Sequence, residues 1–532
     1  MRKDINRMKM NIKFTAVIAG LLFSSMGYGQ DIARGIVYED SNLNGKRDSR
    51  EKGVAQVAVS NGIDVVLTDA AGRYHLPARD NSIFFVIKPQ GYQLPVDEHN
   101  KPQFYYIHKP EGSPALKYAG SKPTGKLPKS IDFALQKNTE EQADFSALVF
   151  GDPQAYNIDE INYFERGIIQ DITATEKFSF GLSLGDLVGD DLVLHEPYIE
   201  TVGKLGLPWF NVMGNHDMNF DVKEDILSDE TYEKNFGPNN FSFNYGNAHF
   251  IILDDIIYPN PRTGKGYLGG FRKDQLDFVE NNLKFVPKDK LIVLVFHIPL
   301  LHENSNVFRG EDRQRLFDLL AQYPHTLSLS AHTHLQRHNF YTKEDGWRQE
   351  KPHHEYNVGT TSGDWYSGLK NKQGVPTSTM RDGTPKGYAI LNVSGNTYTF
   401  DYKVAGEADD YQLNITFPAE ILQKDVRRYT LYANFFIGTA NDTVEYSLDG
   451  SEWKKMNHTV TEDPNYQFNV LKFDNASELM DGRRPSAATP STHVWQIKLP
   501  RSLKAGHYTI QVRATDMFGR THLQTKEVKI VE

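Results

Sequence analysis

A chain of 532 residues with a net charge of −9 and 39% hydrophobic residues is globular in composition and too long for one ordinary domain. It has no cysteine, which excludes a disulfide framework, a lipid-modified cysteine and any thiolate metal site. A bound metal must therefore rest on His, Asp, Glu, Asn or Gln, and the acidic balance argues against non-specific nucleic-acid binding.

The chain opens with a basic stretch, an apolar run from Phe14 to Phe23 and the triplet Gly27-Tyr28-Gly29. This pattern predicts a signal peptide over residues 1–29, cleaved before Gln30, and an exported (periplasmic or secreted) chain with no transmembrane segment once mature. The signal carries five Lys/Arg and one acidic residue, so losing its +4 takes the net charge from −9 to −13. Over 30–138, short β-rich runs such as "ARGIVYED" and "IFFVIKP" predict a β-sandwich, interrupted by a long Pro/Gly/Lys-rich loop from Lys109 to Lys129. From 144 to 404 strand-like and helix-like segments alternate. "FSALVFGDP" precedes a helical stretch around "DEINYFERGIIQ", and "EDRQRLFDLLAQY" precedes "TLSLSAH". That alternation predicts an α/β domain with a mostly buried sheet. Over 405–532 the chain returns to turn-separated alternating strands, the pattern of an Ig-like or fibronectin-like sandwich. The whole is multidomain, α/β plus β.

In the middle region five segments place oxygen or imidazole donors at the C-terminal end of an apolar run: "GDPQ" (Asp152, Gln154), "GDLVGDD" (Asp186), "GNHD" (Asn215, His216, Asp217), "FHIP" (His297) and "SAHTH" (His332, His334). One strand-end histidine is usually a satisfied core residue. Five such ends in one domain point elsewhere, because strand C-termini of a parallel sheet converge on one crevice. Seven or eight N/O donors are too many for one ion and suit two divalent cations.

The order and content of these segments, over roughly residues 145–335, closely resemble the calcineurin-like metallophosphoesterases. The flanking sandwiches resemble an exported bacterial subgroup with a prealbumin-like N-terminal domain. The resemblance implies a central four-layer α/β/β/α domain between two β-sandwiches. It implies Asp186 bridging two ions, Asp152, Gln154 and His334 completing one site, and Asn215, His297 and His332 completing the other. His216 would face the scissile phosphate, held by Asp217. Two departures stand out. The family's D-x-H is D-P-Q here, and the glycine before its H-x-H is Ala331. A glutamine carbonyl is a neutral oxygen donor, so Gln154 is read as a ligand that shifts preference towards harder metals, with Mn favoured over Fe or Zn. Where the purple acid phosphatases of the superfamily carry an iron-binding tyrosine, Gly189 stands, which argues against an Fe(III)–tyrosinate centre.

The reaction implied is phosphate-ester hydrolysis by in-line attack of a metal-bridging hydroxide, with diesters favoured. Phosphomonoesterase and nucleotide pyrophosphatase activities stay open, as does a retired core in a non-catalytic surface binding protein. The substrate would be a small-molecule or a glycan- or lipid-linked phosphate. A zinc-peptidase reading has no H-E-x-x-H to rest on. Trp365 and Tyr366, in a Gly-rich stretch beyond the last donor, are candidates for a substrate wall or for interdomain packing. His353 and His354 read as surface or interdomain residues, and His195 as ordinary. Finally, "DSNLNGKRDSRE" fits a calcium-loop spacing through Asp40, Asn42, Asn44, Asp48 and Glu51, with strand-like rather than helical flanks. It resembles the calcium loops of bacterial adhesin repeats, against the plainer alternative of an Asn/Gly-rich turn.

Overall fold

The computed structural model describes residues 31–301 and 307–532; the expected signal peptide, 1–29, lies outside them. No helix among the described residues is long and apolar enough to cross a membrane.

Two sheets form the centre. One has five strands in the spatial order Trp209–Asn211, Phe180–Ser183, Asp144–Phe150, Gly387–Ser394, Thr397–Val404; the first three run parallel and the last two antiparallel. The other has six, with Ala248–Ile252, Leu291–Val295, Thr326–Ser330 and His353–Asn357 parallel in the middle and an antiparallel strand at each edge. Unbroken apolar runs such as Leu291–Val295, buried at every position, are what parallel strands covered on both faces require.

The sheets face each other through aromatic rings. Phe145 and Phe180 stand 6.3 and 5.4 Å from Phe250, and Phe210 stacks on Phe243 at 4.2 Å. Side chains alternate along a strand, so Phe150 points the other way, and helix Ile158–Gly167 lays Phe164 on it at 5.9 Å. That helix starts where the Asn157 side chain accepts the Glu160 N–H, with Asp159 and Glu160 in its first turn against the positive end of the dipole. Helix Gly310–Leu320 covers the other sheet, with Phe317 5.5 Å from Tyr341.

His353 is fully buried in this second sheet, not at a surface or domain boundary. Its ring nitrogens meet the Thr326 and Ser328 hydroxyls at 2.8 and 2.6 Å, and burial pushes its pKa down to about 3, so it is a neutral core residue. His354, also buried, bonds Tyr398 of the facing sheet at 3.0 Å.

Before the centre, residues 32–137 form two four-stranded sheets, with one parallel pairing between Ile32–Glu39 and Phe133–Lys137. They share a continuous apolar core with the central sheets: Phe85 meets Phe278 at 5.7 Å and Phe104 meets Phe241 at 5.1 Å. The long loop expected at 109–129 lies along helix Glu230–Phe236. Lys109 Nζ is 2.5 Å from Glu230 and 2.6 Å from Glu233, and Lys234 donates to the Ala119 carbonyl at 3.2 Å.

After the centre, a four-stranded and a five-stranded sheet enclose a second core. One element there departs from the all-β expectation, helix Pro464–Asp474. Asp463 caps it by accepting the Tyr466 N–H at 2.7 Å, and Pro464 takes the first position, where a missing N–H costs nothing.

Candidate metal centre

The C-terminal ends of Asp144–Phe150, Phe180–Ser183 and Trp209–Asn211 from one sheet, and of Leu291–Val295 and Thr326–Ser330 from the other, carry the seven expected donors to one place. His297 Nε2 is the hub. It lies 3.3 Å from Asp186 Oδ2, 3.2 Å from Asn215 Oδ1, 3.1 Å from His332 Nδ1 and 3.9 Å from Asp152 Oδ1. Asp152 Oδ1 is also 4.0 Å from His334 Nε2, and the Gln154 amide reaches Asp186 Oδ2 at 3.3 Å. The ligating atoms of Asp186, His297 and His332 all fall within 4.8 Å of one another.

Backbone strain builds this convergence. Asp152, Gln154, Asp186, His332 and His334, five of the seven, have φ between +33° and +68°, a region non-glycine residues rarely occupy. The glycine before Asn215 is needed for a different reason: a Cβ on Gly214 would come within 1.9 Å of the Asp186 nitrogen and 2.3 Å of its Oδ1.

The donor chemistry fits divalent cations. His297 Nδ1 donates to the Leu184 carbonyl at 2.7 Å and His334 Nδ1 to the Gly363 carbonyl at 2.9 Å, so each presents an unprotonated Nε2 to the centre when neutral. Gln154 Oε1 is buried with no hydrogen-bond partner, although a buried carbonyl oxygen is costly to leave unpaired. Electrostatics say the same. Burial, reinforced by the Asp186 charge, pushes the Asp152 carboxyl up to about 8 against the pull of His297. Burial opposes ionisation of Asp186 too, but the imidazoles of His297 and His216 hold it below the usual carboxylate range. His297, which burial alone would lower, is raised to about 10 by Asp186 and Asp152. The two carboxylates thus draw positive charge towards this cluster.

His216 lies beside this cluster, and its backbone N–H donates to Asp186 Oδ1 at 2.8 Å. The carboxylate that holds its ring is Asp190, 2.7 Å from Nδ1, and not Asp217 as the resemblance implied. Asp217 is fully buried and accepts the backbone N–H groups of Leu187, Val188 and Gly214, with His195 Nε2 at 3.4 Å. It ties the Asp186 loop to the Asn215 loop, and His195 is a buried partner in that tie. Asp190 was within reach of sequence reasoning, since it sits in the same "GDLVGDD" segment as Asp186. Tyr156, whose ring is 5.9 Å from His216, fills the space over Gly189: a Cβ there would meet it at 2.6 Å.

Trp365 and Tyr366 divide. Trp365 stacks on the His334 ring at 4.1 Å, with the Arg381 guanidinium 5.6 Å from its own ring. Tyr366 is 4% exposed and donates to the Pro153 carbonyl, so it packs behind the Asp152 strand end and forms no substrate wall. The loop carrying both is held from the C-terminal β region. Gly368 and Leu369 pair with Arg483 and Gly482, the Arg483 side chain donates to the Trp365 carbonyl, and Ser486 N–H reaches Asp364 at 2.7 Å.

In the N-terminal loop, Asp48 accepts from the Asn42 and Asn44 side chains at 2.6 and 3.1 Å, and Asp40 and Glu51 accept loop N–H groups at 2.8–3.1 Å. The five expected calcium donors are together, bonded among themselves.

Two facing sheets with a donor cluster at their strand ends are the metallophosphoesterase fold. Three family profiles match in succession: "N terminal of Calcineurin-like phosphoesterase" over residues 41–119, "Calcineurin-like phosphoesterase" over 145–336 and "C terminal of Calcineurin-like phosphoesterase" over 355–522. The chain belongs to the calcineurin-like phosphoesterase family. Among curated proteins it is 30% identical over 141 residues, 25% of this chain and 48% of the relative, to a probable glycerophosphodiester phosphodiesterase of Arcobacter nitrofigilis. It is 28% identical over 170 residues, 30% of this chain and 58% of the relative, to a 3',5'-cyclic-nucleotide phosphodiesterase of a Nostoc species. The chain thus spans about half the length of the curated relatives it matches. A solved purple acid phosphatase from yellow lupin seeds aligns at 13% identity and a TM-score of 0.36, over 66% of this chain and 69% of that one.

Proposed function

We propose that this protein is a metal-dependent phosphoric ester hydrolase acting on phosphodiesters. The observation that carries the reading is the meeting of Asp152, Gln154, Asp186, Asn215, His297, His332 and His334 at one point, with a buried Gln154 oxygen lacking any other partner. These seven would hold two divalent cations, Mn²⁺ favoured by the carboxylate and amide oxygens among them. When bound, such ions acidify water and neutralise phosphoryl oxygens.

The chain's own residues supply the rest. Burial opposes a charged His216 ring, but Asp186 and Asp190 outweigh it and raise its pKa, which favours the protonated form. Asp190 aims the ring, and the proton passes to the departing alcohol oxygen as the P–O bond breaks. The phosphodiesterase names of the two curated relatives favour diesters over monoesters and pyrophosphates. We further propose a four-layer centre, an exported chain and a calcium ion in the 40–51 loop, the last two from the sequence pattern alone.

Metal content of the purified protein tests the reading, together with turnover of bis(4-nitrophenyl) phosphate. About two ions per chain are expected, and Asp186→Asn removes both ions and the activity. Normal metal content and rate in Asp186→Asn would sink the assignment.

A further inference from the structure

We infer that the 109–129 loop of the N-terminal sandwich walls the part of the cleft that receives the leaving alcohol, and that it selects an alcohol bearing both a ring and a negative charge. The inference rests on the hydrolase reading above. A cavity of about 650 Å³ opens over Asn215 and His216, and Lys117 and Tyr118 of that loop line it together with Phe220 and Tyr267. His216 is the proton donor in this reading, so the group above it is the one that departs.

Tyr118 and Tyr267 pack one side against the core and leave part of each ring accessible. Phe220 is 41% exposed, and Tyr118 and Tyr267 are half-buried. Exposed flat rings inside a cleft are what a planar or puckered ring stacks on. Lys117 supplies the charge. Its ammonium lies 4.6 Å from the centre of the Tyr118 ring, so cation and ring face the cavity as one unit. The two acidic residues on the lining already have partners: Asp190 holds His216, and Asp221 accepts the Lys117 backbone N–H at 2.7 Å.

The loop is also held in place in advance, as a selective wall must be. The Tyr118 carbonyl accepts the Thr231 hydroxyl at 2.9 Å, the Ala119 carbonyl accepts Lys234, and Lys109 is buried between Glu230 and Glu233. In the reaction, water oxygen bonds to phosphorus and gives up a proton to solvent, the electron pair of the broken P–O bond goes to the alcohol oxygen, the His216 proton follows it, and solvent returns a proton to the ring. The products are a phosphomonoester and the ring-bearing alcohol.

The test compares bis(4-carboxyphenyl) phosphate with bis(4-nitrophenyl) phosphate on the metal-loaded full chain. Lys117→Ala is expected to lower kcat/KM for the carboxylate diester about five- to tenfold more than for the nitro diester, mainly through KM. Tyr118→Ala lowers both, and Tyr118→Phe restores most of that loss. Equal losses on the two diesters in Lys117→Ala, or none in Tyr118→Ala, overturn this inference while leaving the hydrolase reading intact. A wild-type protein that binds metal and cleaves neither diester overturns both.

Discussion

Replacing Lys109 by Met tests whether the N-terminal loop is built into the catalytic region. The ammonium lies 2.5 Å from Glu230 and 2.6 Å from Glu233, and all three side chains are at most 11% exposed. Methionine fills the space but leaves the Glu230 and Glu233 carboxylates buried without the ammonium that pairs them. Breaking a buried ion pair from one side costs about 3–5 kcal/mol. At ~2 °C per kcal/mol for a core of this size, Tm should fall by ~6–10 °C. Lys343→Met removes a pair whose side chains are 60% and 90% exposed and should cost under ~1 kcal/mol.

The sign of the pH dependence follows. Burial already holds the Glu233 carboxyl above its usual range, with Lys109 opposing. Without Lys109 its folded pKa rises further above the unfolded value near ~4.3. A group raised in the folded state stabilises it below the unfolded pKa and loses that contribution as pH rises through the folded one. The deficit of Lys109→Met against wild type is therefore smallest near the unfolded glutamate pKa and grows towards neutrality. Urea titrations at pH 5 and 7.5 measure it. A deficit under ~1 kcal/mol at pH 7.5, or one that grows on acidification, would show that the clamp is not what holds the loop.

Gln154→Ala should lose about one of two ions by plasma mass spectrometry, and Gln154→His should keep both; two ions in Gln154→Ala would remove Gln154 from the centre. Asp190→Asn should lower kcat about tenfold or more with metal content and Tm unchanged. Asp217→Asn, which puts an amide against three backbone donors, should instead cost ~1–3 kcal/mol in denaturant titration. If the two variants exchange these effects, the assignment of the carboxylate holding His216 is wrong. Addition of ~1 mM calcium to the full chain should raise Tm through the 40–51 loop, and Asp48→Ala should abolish the gain. The full chain is the right object, since the N-terminal sheets share their core with the central sheets.

The donors were legible because each follows an apolar run, and topology does the rest: strands that are buried and parallel deliver their C-terminal residues to one edge. Which neighbour serves which donor was not. The family resemblance implied that Asp217 holds His216, which it follows in the chain. Both lie in the turn that follows strand Trp209–Asn211, where Asp217 collects three backbone N–H groups under the loop while His216 reaches outward to Asp190. Trp365 and Tyr366 also separate, in a turn where both have positive φ, one against His334 and the other behind the strand. The role of the N-terminal loop was equally hidden, because a Lys- and Pro-rich stretch reads as solvated chain until Glu230 and Glu233 appear beside Lys109.

Conformation was the deepest omission. Sequence patterns reserve positive φ for glycine, yet Asp152, Gln154, Asp186, His332 and His334 all adopt it. Such strain persists only where the surroundings over-determine it, and here they do: the Asp152 carboxylate accepts the His332 N–H at 3.0–3.2 Å, and the Gln154 N–H donates to the Asp186 carbonyl at 2.8 Å. The strained residues brace one another across the two sheets. Gln154 shares this bracing although it departs from the family's usual histidine, and a position released from function has no reason to keep a costly backbone and a buried oxygen with no partner. That combination argues for Gln154 as a working ligand more strongly than its place in the sequence does.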